Sequence, residues 1–183
     1  MIYSHRLRFR AAEREDIPRF VTWLNDPDVR RHLSLIYPLS KAEEEEWFER
    51  MLKDPAAEHV MVIEIRQGDG WKPIGNISLM DIQWIERSAE LGLFIGEKEE
   101  WGKGYGTEAV KLLLRHGFQT LNLHRIFLRV HEDNLRGIRA YERAGFIHEG
   151  RLRQAVYREG RFYDMLIMSV LREEWQDGDQ SLG

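Results

Sequence analysis

The chain reads as an α+β domain: a mixed, mostly antiparallel sheet with flanking helices and one parallel strand pair near its centre. Three observations predict this. Extended segments joined by short turns, Gly68-Asp69-Gly70 early and Arg158-Glu159-Gly160 late, point to antiparallel hairpins. An apolar run, Leu91-Gly92-Leu93-Phe94-Ile95, feeds a glycine-rich segment that opens into an amphipathic run, Val110 to Phe118. A further extended run, Arg125 to His131, follows, and such a β-loop-α-β crossover requires its two strands to lie parallel.

The elements follow in order. Residues 6–11 alternate polar and apolar side chains, as a half-buried strand does. Glu13 to Leu24 carries Ile17, Phe20, Val21 and Leu24 on one helical face, and Asn25-Asp26-Pro27 ends it. A short helix is expected around Asp28 to His32. Ser40-Lys41-Ala42-Glu43 is a capping box and starts a helix to about Lys53, with Trp47, Phe48, Met51 and Leu52 as its apolar face. Strands are expected over 59–66, 72–82 and 88–95, a helix over 107–121, a strand over 125–131 and a helix over 135–144. Strands over 145–151 and 162–171 complete the pattern. One domain spans 1–175, and the polar tail 176–183 is expected to fray.

Composition narrows the function. With 183 residues the chain can bury a core of its own, and 43% hydrophobic and 32% charged residues fit an ordinary globular protein. The net charge of −4 offers no basic footprint for nucleic acid. The absence of cysteine removes disulfides, thiolate metal sites and a cysteine nucleophile together, and is compatible with a cytoplasmic location. No apolar run approaches the roughly 18 residues of a membrane span, and no signal-peptide core opens the chain. The seven histidines show no metal-ligand spacing, so no metal is expected.

The richest segment is Trp101-Gly102-Lys103-Gly104-Tyr105-Gly106-Thr107-Glu108-Ala109. A glycine-rich turn between a strand and a helix N-terminus presents backbone N–H groups and a positive dipole end to an anion, most often a phosphate. Lys103 lies between glycines, with no Gly-Lys-Ser/Thr, which argues against a nucleotide P-loop; Thr107 stands where a dinucleotide fingerprint needs its third glycine. A tight connection with no ligand is the plainer alternative.

Several ordered motifs at compatible spacing resemble the GCN5-related N-acetyltransferase (GNAT) superfamily. They are Ala89 to Ile95, Trp101 to Ala109, Leu121-Asn122-Leu123-His124-Arg125, and Asn134 followed seven residues later by Tyr141 and then Gly145-Phe146. Trp23 to Pro27 and Gly160 to Asp164 look like the same group, so the resemblance covers nearly the whole chain. The nearest branch is that of ribosomal-protein alanine acetyltransferases and spermidine acetyltransferases. One departure is Trp101, where the superfamily usually has Gln or Arg.

The resemblance implies that the two parallel strands splay and that acetyl-CoA, the cosubstrate, lies in the gap. Leu93, Phe94 and Ile95 would offer backbone groups to its pantetheine arm. Gly102, Lys103, Gly104, Tyr105, Gly106 and Thr107 would hold the pyrophosphate. Tyr141 would act as general acid toward the thioester sulfur, though on the residues alone it reads as a packing residue of an amphipathic helix. Asn134 would touch the cofactor, while its own position reads equally as an N-cap. Arg136 would reach phosphates. Glu90 and Asp81 are the candidate general bases, each reading alone as a solvent-facing strand carboxylate. With no cysteine to carry an acetyl group, direct attack in a ternary complex is the favoured chemistry; a non-catalytic CoA-binding module on the same fold is the rival. A homodimer is familiar in the superfamily, but no sequence feature requires one.

The acceptor is expected to be a primary amine on a peptide or small molecule, with polyamines as the alternative. The stretch His32 to Ser40 contains no acid to hold a polycation, and Tyr37 with its aliphatic neighbours suits an apolar wall. Glu43 to Glu46 and Glu49 are read first as the acidic start of a capped helix.

Overall fold

A computed structural model describes residues 1–176. Its strands are β1 (Ile2–Tyr3), β2 (Leu7–Ala11), β3 (Met61–Gln67), β4 (Gly70–Gln83), β5 (Ser88–Ile95), β6 (Arg125–His131), β7 (Ile147–Arg158) and β8 (Arg161–Leu171). The helices are α1 (Ile17–Asn25), α2 (Pro27–Arg30), α3 (Lys41–Met51), α4 (Tyr105–Arg115) and α5 (Leu135–Arg143). All eight strands form one sheet in the order β1-β2-β3-β4-β5-β6-β8-β7. Every neighbouring pair is antiparallel except β5 and β6, as expected. Among the described residues, no helix is long and apolar enough to cross a membrane.

Strand alternation divides the sheet into two covered faces. On one face Ala89 and Leu91 of β5, Ile126, Leu128 and Val130 of β6 and Ile77 and Leu79 of β4 pack with Ala109, Val110, Leu113 and Phe118 of the helix after the glycine-rich turn. On the other, Ile17, Phe20 and Trp23 of α1, Val29 of α2 and Phe48 and Met51 of α3 form a second cluster, with Phe94 of β5 against it. Trp23 displaces Val21 and Leu24, only partly buried, as the third anchor of α1.

Most boundaries match the expectation within a few residues, and the misses have local causes. The expected helix over 107–121 begins at Tyr105 and changes after Arg115 into a π-helical turn, His116–Thr120. The strand expected over 145–151 runs on to Arg158, because β8 supplies partners past a register shift between Leu152 and Val156. The two-residue β1 was not expected at all. The fraying expected of the tail falls on residues that, from 177 onward, lie outside those described.

Charged side chains brace the first half of the sheet. Glu64, almost fully buried on β3, accepts from Arg8 Nε at 2.7 Å and from Arg10 Nε at 2.8 Å, and Arg10 also grips Asp16 at 2.6 Å. A buried carboxylate is tolerable only when paired this way.

Gly75 marks the closest strand approach. A Cβ there would lie 2.2 Å from Phe94 O and 2.8 Å from Ile95 Cα, both main-chain atoms that cannot step aside. Gly75→Ala is therefore expected to destabilise the protein by about 1–3 kcal/mol, the usual range for overpacking. Urea unfolding should show a lower midpoint, and an unchanged midpoint would contradict the close packing of β4 on β5.

Candidate active site

The parallel pair is short. Ser88, Ala89 and Glu90 pair with Arg125, Ile126 and Phe127, and then β5 and β6 part. β6 meanwhile stays paired with β8 along its whole length, Arg125 to His131. β5 stays paired with β4 from Glu90 to Ile95. The expected splay is thus present, and a cavity of about 520 Å³ occupies it, lined by the ends of both strands, the glycine-rich turn and α5.

Which backbone groups face the gap follows from hydrogen-bond alternation. Gly96 N–H donates to Ile74 O at 2.8 Å, which makes Gly75/Ile95 a non-hydrogen-bonded pair. Asn76/Phe94 is then the bonded pair, and Ile77/Leu93 is again non-bonded. Leu93 and Ile95 therefore turn their N–H and C=O toward the gap, whereas Phe94 spends its own on β4. This corrects the expectation that all three offer backbone groups there. The Ile95 carbonyl is also engaged, since Trp101 Nε1–H donates to it at 2.8 Å. What remains is the Ile95 N–H and both Leu93 groups, and backbone polar groups of this kind need a partner.

The turn after β5 is shaped for an anion. Gly104 is the N-cap of α4 with φ +86°, a left-handed conformation that glycine adopts without strain. Gly102, Gly104, Tyr105, Gly106 and Thr107 all line the cavity. Lys103 is not among the lining residues; its Nζ donates to Glu100 at 2.9 Å and its carbonyl accepts from Arg6. Lys103 is thus a brace of the turn.

Trp101 has a different task from the polar residue usual at its position. Its indole ring lies beneath the Arg136 guanidinium, 3.5 Å from carbon to ring centroid. The stack holds Arg136 over the turn, and burial lowers the Arg136 pKa below its ordinary value. Arg139 and Arg143 line the same cavity at helical spacings of three and seven from Arg136, so one face of α5 presents three guanidinium groups. Arg143 was not expected from the sequence, although that spacing is readable in it.

Asn134 is the N-cap of α5: its Oδ1 accepts from Gly137 N–H at 3.0 Å. The cap reading is realised, and the residue also lines the cavity. Tyr141 lies in the same wall, nearly buried, with its ring tilted against Phe146 at 5.8 Å between centroids. Burial pushes its phenol up to about 12.

The two candidate bases fare differently. Glu90 lines the cavity at the fork of the strands, but both its oxygens are taken by Arg129, with Nε at 2.8 Å and Nη2 at 2.9 Å. Asp81 does not line the cavity. It is exposed at φ +50° in an irregular stretch of β4 where the register with β5 shifts between Met80 and Gln83, and its charge acts on Arg129, the partner of Glu90.

Past α2, the chain borders the other side of the cavity. His32, Leu33 and Ser34 line it, while Ile36 and Tyr37 are exposed and form no wall. Arg158 Nη2 donates to Leu33 O at 3.2 Å, Arg30 Nη2 to Tyr37 O at 3.0 Å, and Asn25 clasps Leu39 through both its amide atoms at 2.7 and 2.9 Å. The glutamates of α3 serve structure: Glu43 completes the capping box with Ser40, and Glu49 pairs with Arg14. Glu44 is buried, with its carboxyl pushed up to about 7.

Comparison with known proteins agrees with this architecture. Residues 6–147 match the family model described as acetyltransferase (GNAT) domain. A spermidine N(1)-acetyltransferase of Vibrio cholerae is 33% identical over 173 residues, 94% of this chain and 96% of that protein. A ribosomal N-acetyltransferase-like protein of Bacillus subtilis is 34% identical over 102 residues, 56% of this chain and 55% of that one. The crystal structure of the Vibrio cholerae spermidine N-acetyltransferase in complex with CoA and spermine superposes with a TM-score of 0.84 at 32% identity, over 92% of this chain and 96% of that one. The chain therefore belongs to the GNAT acetyltransferase family.

Proposed function

We propose that this N-acetyltransferase seats acetyl-CoA where β5 and β6 part and passes the acetyl group directly to a primary monoamine, either a peptide N-terminus or a small-molecule amine. The observation that carries the reading is the set of backbone groups on Leu93 and Ile95, turned into an opening with a glycine-rich helix N-terminus at its end. A pantetheine arm, with two amides, can pair with such groups as a short added strand. The pyrophosphate then meets the N–H groups of the turn from Gly102 to Thr107, and the guanidinium groups of α5 supply countercharge to the phosphates.

The chemistry is a displacement at the thioester carbon. The lone pair of a neutral amine forms the C–N bond, the C–S bond breaks, and the Tyr141 hydroxyl gives its proton to the departing sulfur. The phenol regains a proton from the nitrogen as the amide forms. A phenol near 12 is a weak donor to a free thiolate of about 8.5. The burial that raises the phenol raises a thiol in the same pocket, which narrows the mismatch. The Leu93 or Ile95 N–H supports the carbonyl oxygen as it gains charge.

The monoamine preference rests on the charges in the cavity. Glu90 and Glu100 are its acids among the described residues. Glu90 is paired with Arg129, and Glu100 with Lys72 and Lys103. A polycation would find few free carboxylates there. The second reading, a polyamine acceptor, is favoured by the relatives that carry that activity in their names.

Three outcomes test these assignments. Gly104→Val forces a β-branched residue to φ +86° and should weaken CoA binding at least tenfold by calorimetry; affinity equal to wild type would move the pyrophosphate elsewhere. Tyr141→Phe should keep CoA affinity and lose about 10²-fold or more in kcat. Because burial holds the phenol near 12, no alkaline loss of rate should trace to Tyr141 below about pH 10. An undiminished kcat would remove Tyr141 as the acid, whereas a wild type that binds CoA and turns over no amine would favour a binding module. Steady-state kinetics across peptide N-termini, amino sugars and spermidine should give the highest kcat/KM to a monoamine, and a clear spermidine advantage reverses the ranking.

A further inference from the structure

Among the described residues that line the cavity, few side chains can take a proton from an amine at neutral pH. Glu90 is held by the Arg129 fork, Glu100 by two lysines, and Tyr141 carries its own proton. The arginines hold theirs as well. Two histidines are left, His131 at the end of β6 and His32 just past α2.

Their placement is specific. His131 shares strand parity with Arg129, so it projects on the same face of β6 as the Glu90–Arg129 pair, one pleat further into the opening. It is only 6% exposed. His32 meets it edge to face, with ring centroids 5.8 Å apart at 81°. His32 Nε2 is buried and makes no well-aligned hydrogen bond; its polar neighbour is Asp133 Oδ1 at 3.4 Å. Such an atom beside a ligand cavity is one that a bound group can satisfy.

We propose that His131, assisted by His32, is the proton acceptor for the amine in this reaction. This rests on the acetyltransfer reading above. The acceptor ammonium gives one proton to the neutral imidazole of His131, and its freed lone pair forms the C–N bond. The imidazolium then returns that proton to solvent after product leaves, and His32 beside it favours the neutral ring. Atoms balance: one proton leaves with solvent, and the thiol and the amide leave as products. Several groups face the pair. Asp133 favours the protonated ring, while Arg31 and Arg136 around His32, and Arg158 and His32 around His131, oppose it. Burial is the largest effect on both rings and pushes them below the ordinary value, so each is a free base at neutral pH.

The decisive experiment compares pH profiles of kcat, read by CoA release, for wild type, His131→Gln and His32→Gln, with CoA affinity measured beside them. Wild type should lose rate only as pH falls through a value below 6.5, since a base of lowered pKa stays competent until then. His131→Gln should bind CoA normally and lose about 10²-fold at pH 7. Its rate should then climb roughly one decade per pH unit between about pH 7 and 9, as the amine deprotonates by itself. His32→Gln removes a repelling neighbour and should move the acidic limb upward. A His131→Gln profile parallel to wild type, or a loss equal at every pH, overturns the assignment. Independently of turnover, proton NMR should show the His131 ring titrating below 6.5, and a ring protonated at neutral pH overturns it as well. Failure of wild type itself to acetylate any amine would instead strike the acetyltransfer reading, and the NMR titration still decides the state of His131.

Discussion

The structure turns on the early end of one strand pairing. β5 and β6 share three residue pairs and separate, although each keeps its outer partner along the same stretch. The single sheet therefore has two halves joined at a short seam, and everything proposed for catalysis lies just past it. The seam is fastened by chemistry as well as by backbone. Glu90 and Arg129 stand at the fork, on the strands about to diverge, and close a bidentate pair across them. Charge-assisted pairs of this geometry are strong and directional, and removing one member would leave a largely buried carboxylate alone. The residue that looked from the sequence like a base thus has a mechanical task at the point where the sheet opens.

The far end of the opening is built around Trp101. Its ring nitrogen ties the turn back to the Ile95 carbonyl, and its ring face carries Arg136. One side chain therefore couples the end of β5, the anion turn and the first turn of α5. Trp101 positions a guanidinium from another helix, and a guanidinium stacked by its face keeps its in-plane N–H donors free. Cation–π support of this kind is worth on the order of 0.5–2 kcal/mol, enough to favour one arginine rotamer in the absence of an ion-pair partner.

The sequence was most legible where local periodicity and punctuation set the outcome. β5 and β6 were bounded correctly because apolar runs end at turn residues, and the Ser40 capping box and the Asn134 cap were readable from spacing alone. Contacts between distant strands were not legible. The Glu90–Arg129 pair depends on the parallel register. The parity that turns Phe94 toward β4 depends on a hydrogen bond from Gly96 to Ile74. Asp81 falls in the irregular stretch after Met80, outside the cavity lining, and no sequence pattern announced that irregularity. His32 and His131 are nearly a hundred residues apart, and neither sits in a motif; only the path of the chain past α2 brings their rings together. The exposed β7 shows no alternation of burial over most of its length, so its extension to Arg158 had no pattern to announce it.

The division of faces along β5 explains how one strand serves two substrates. Leu91, Leu93 and Ile95 send side chains to the α4 side, while Glu90, Gly92 and Phe94 face the side of α1 and α2. The backbone edge between them is left for the cosubstrate. An acceptor arriving from the α2 side would meet the neutral Glu90–Arg129 pair, Arg136 and the two histidines. A guanidinium such as Arg136 disfavours an ammonium close to it and lowers the cost of its deprotonation. A monoamine needs to shed a single proton there. A polyamine would bring further ammonium groups that react with nothing and stay charged among guanidinium groups, unless they reach acids beyond the cavity rim. The proposed preference for a monoamine rests on that cost: an acceptor whose only basic nitrogen is the one that reacts leaves no charge behind among the guanidinium groups.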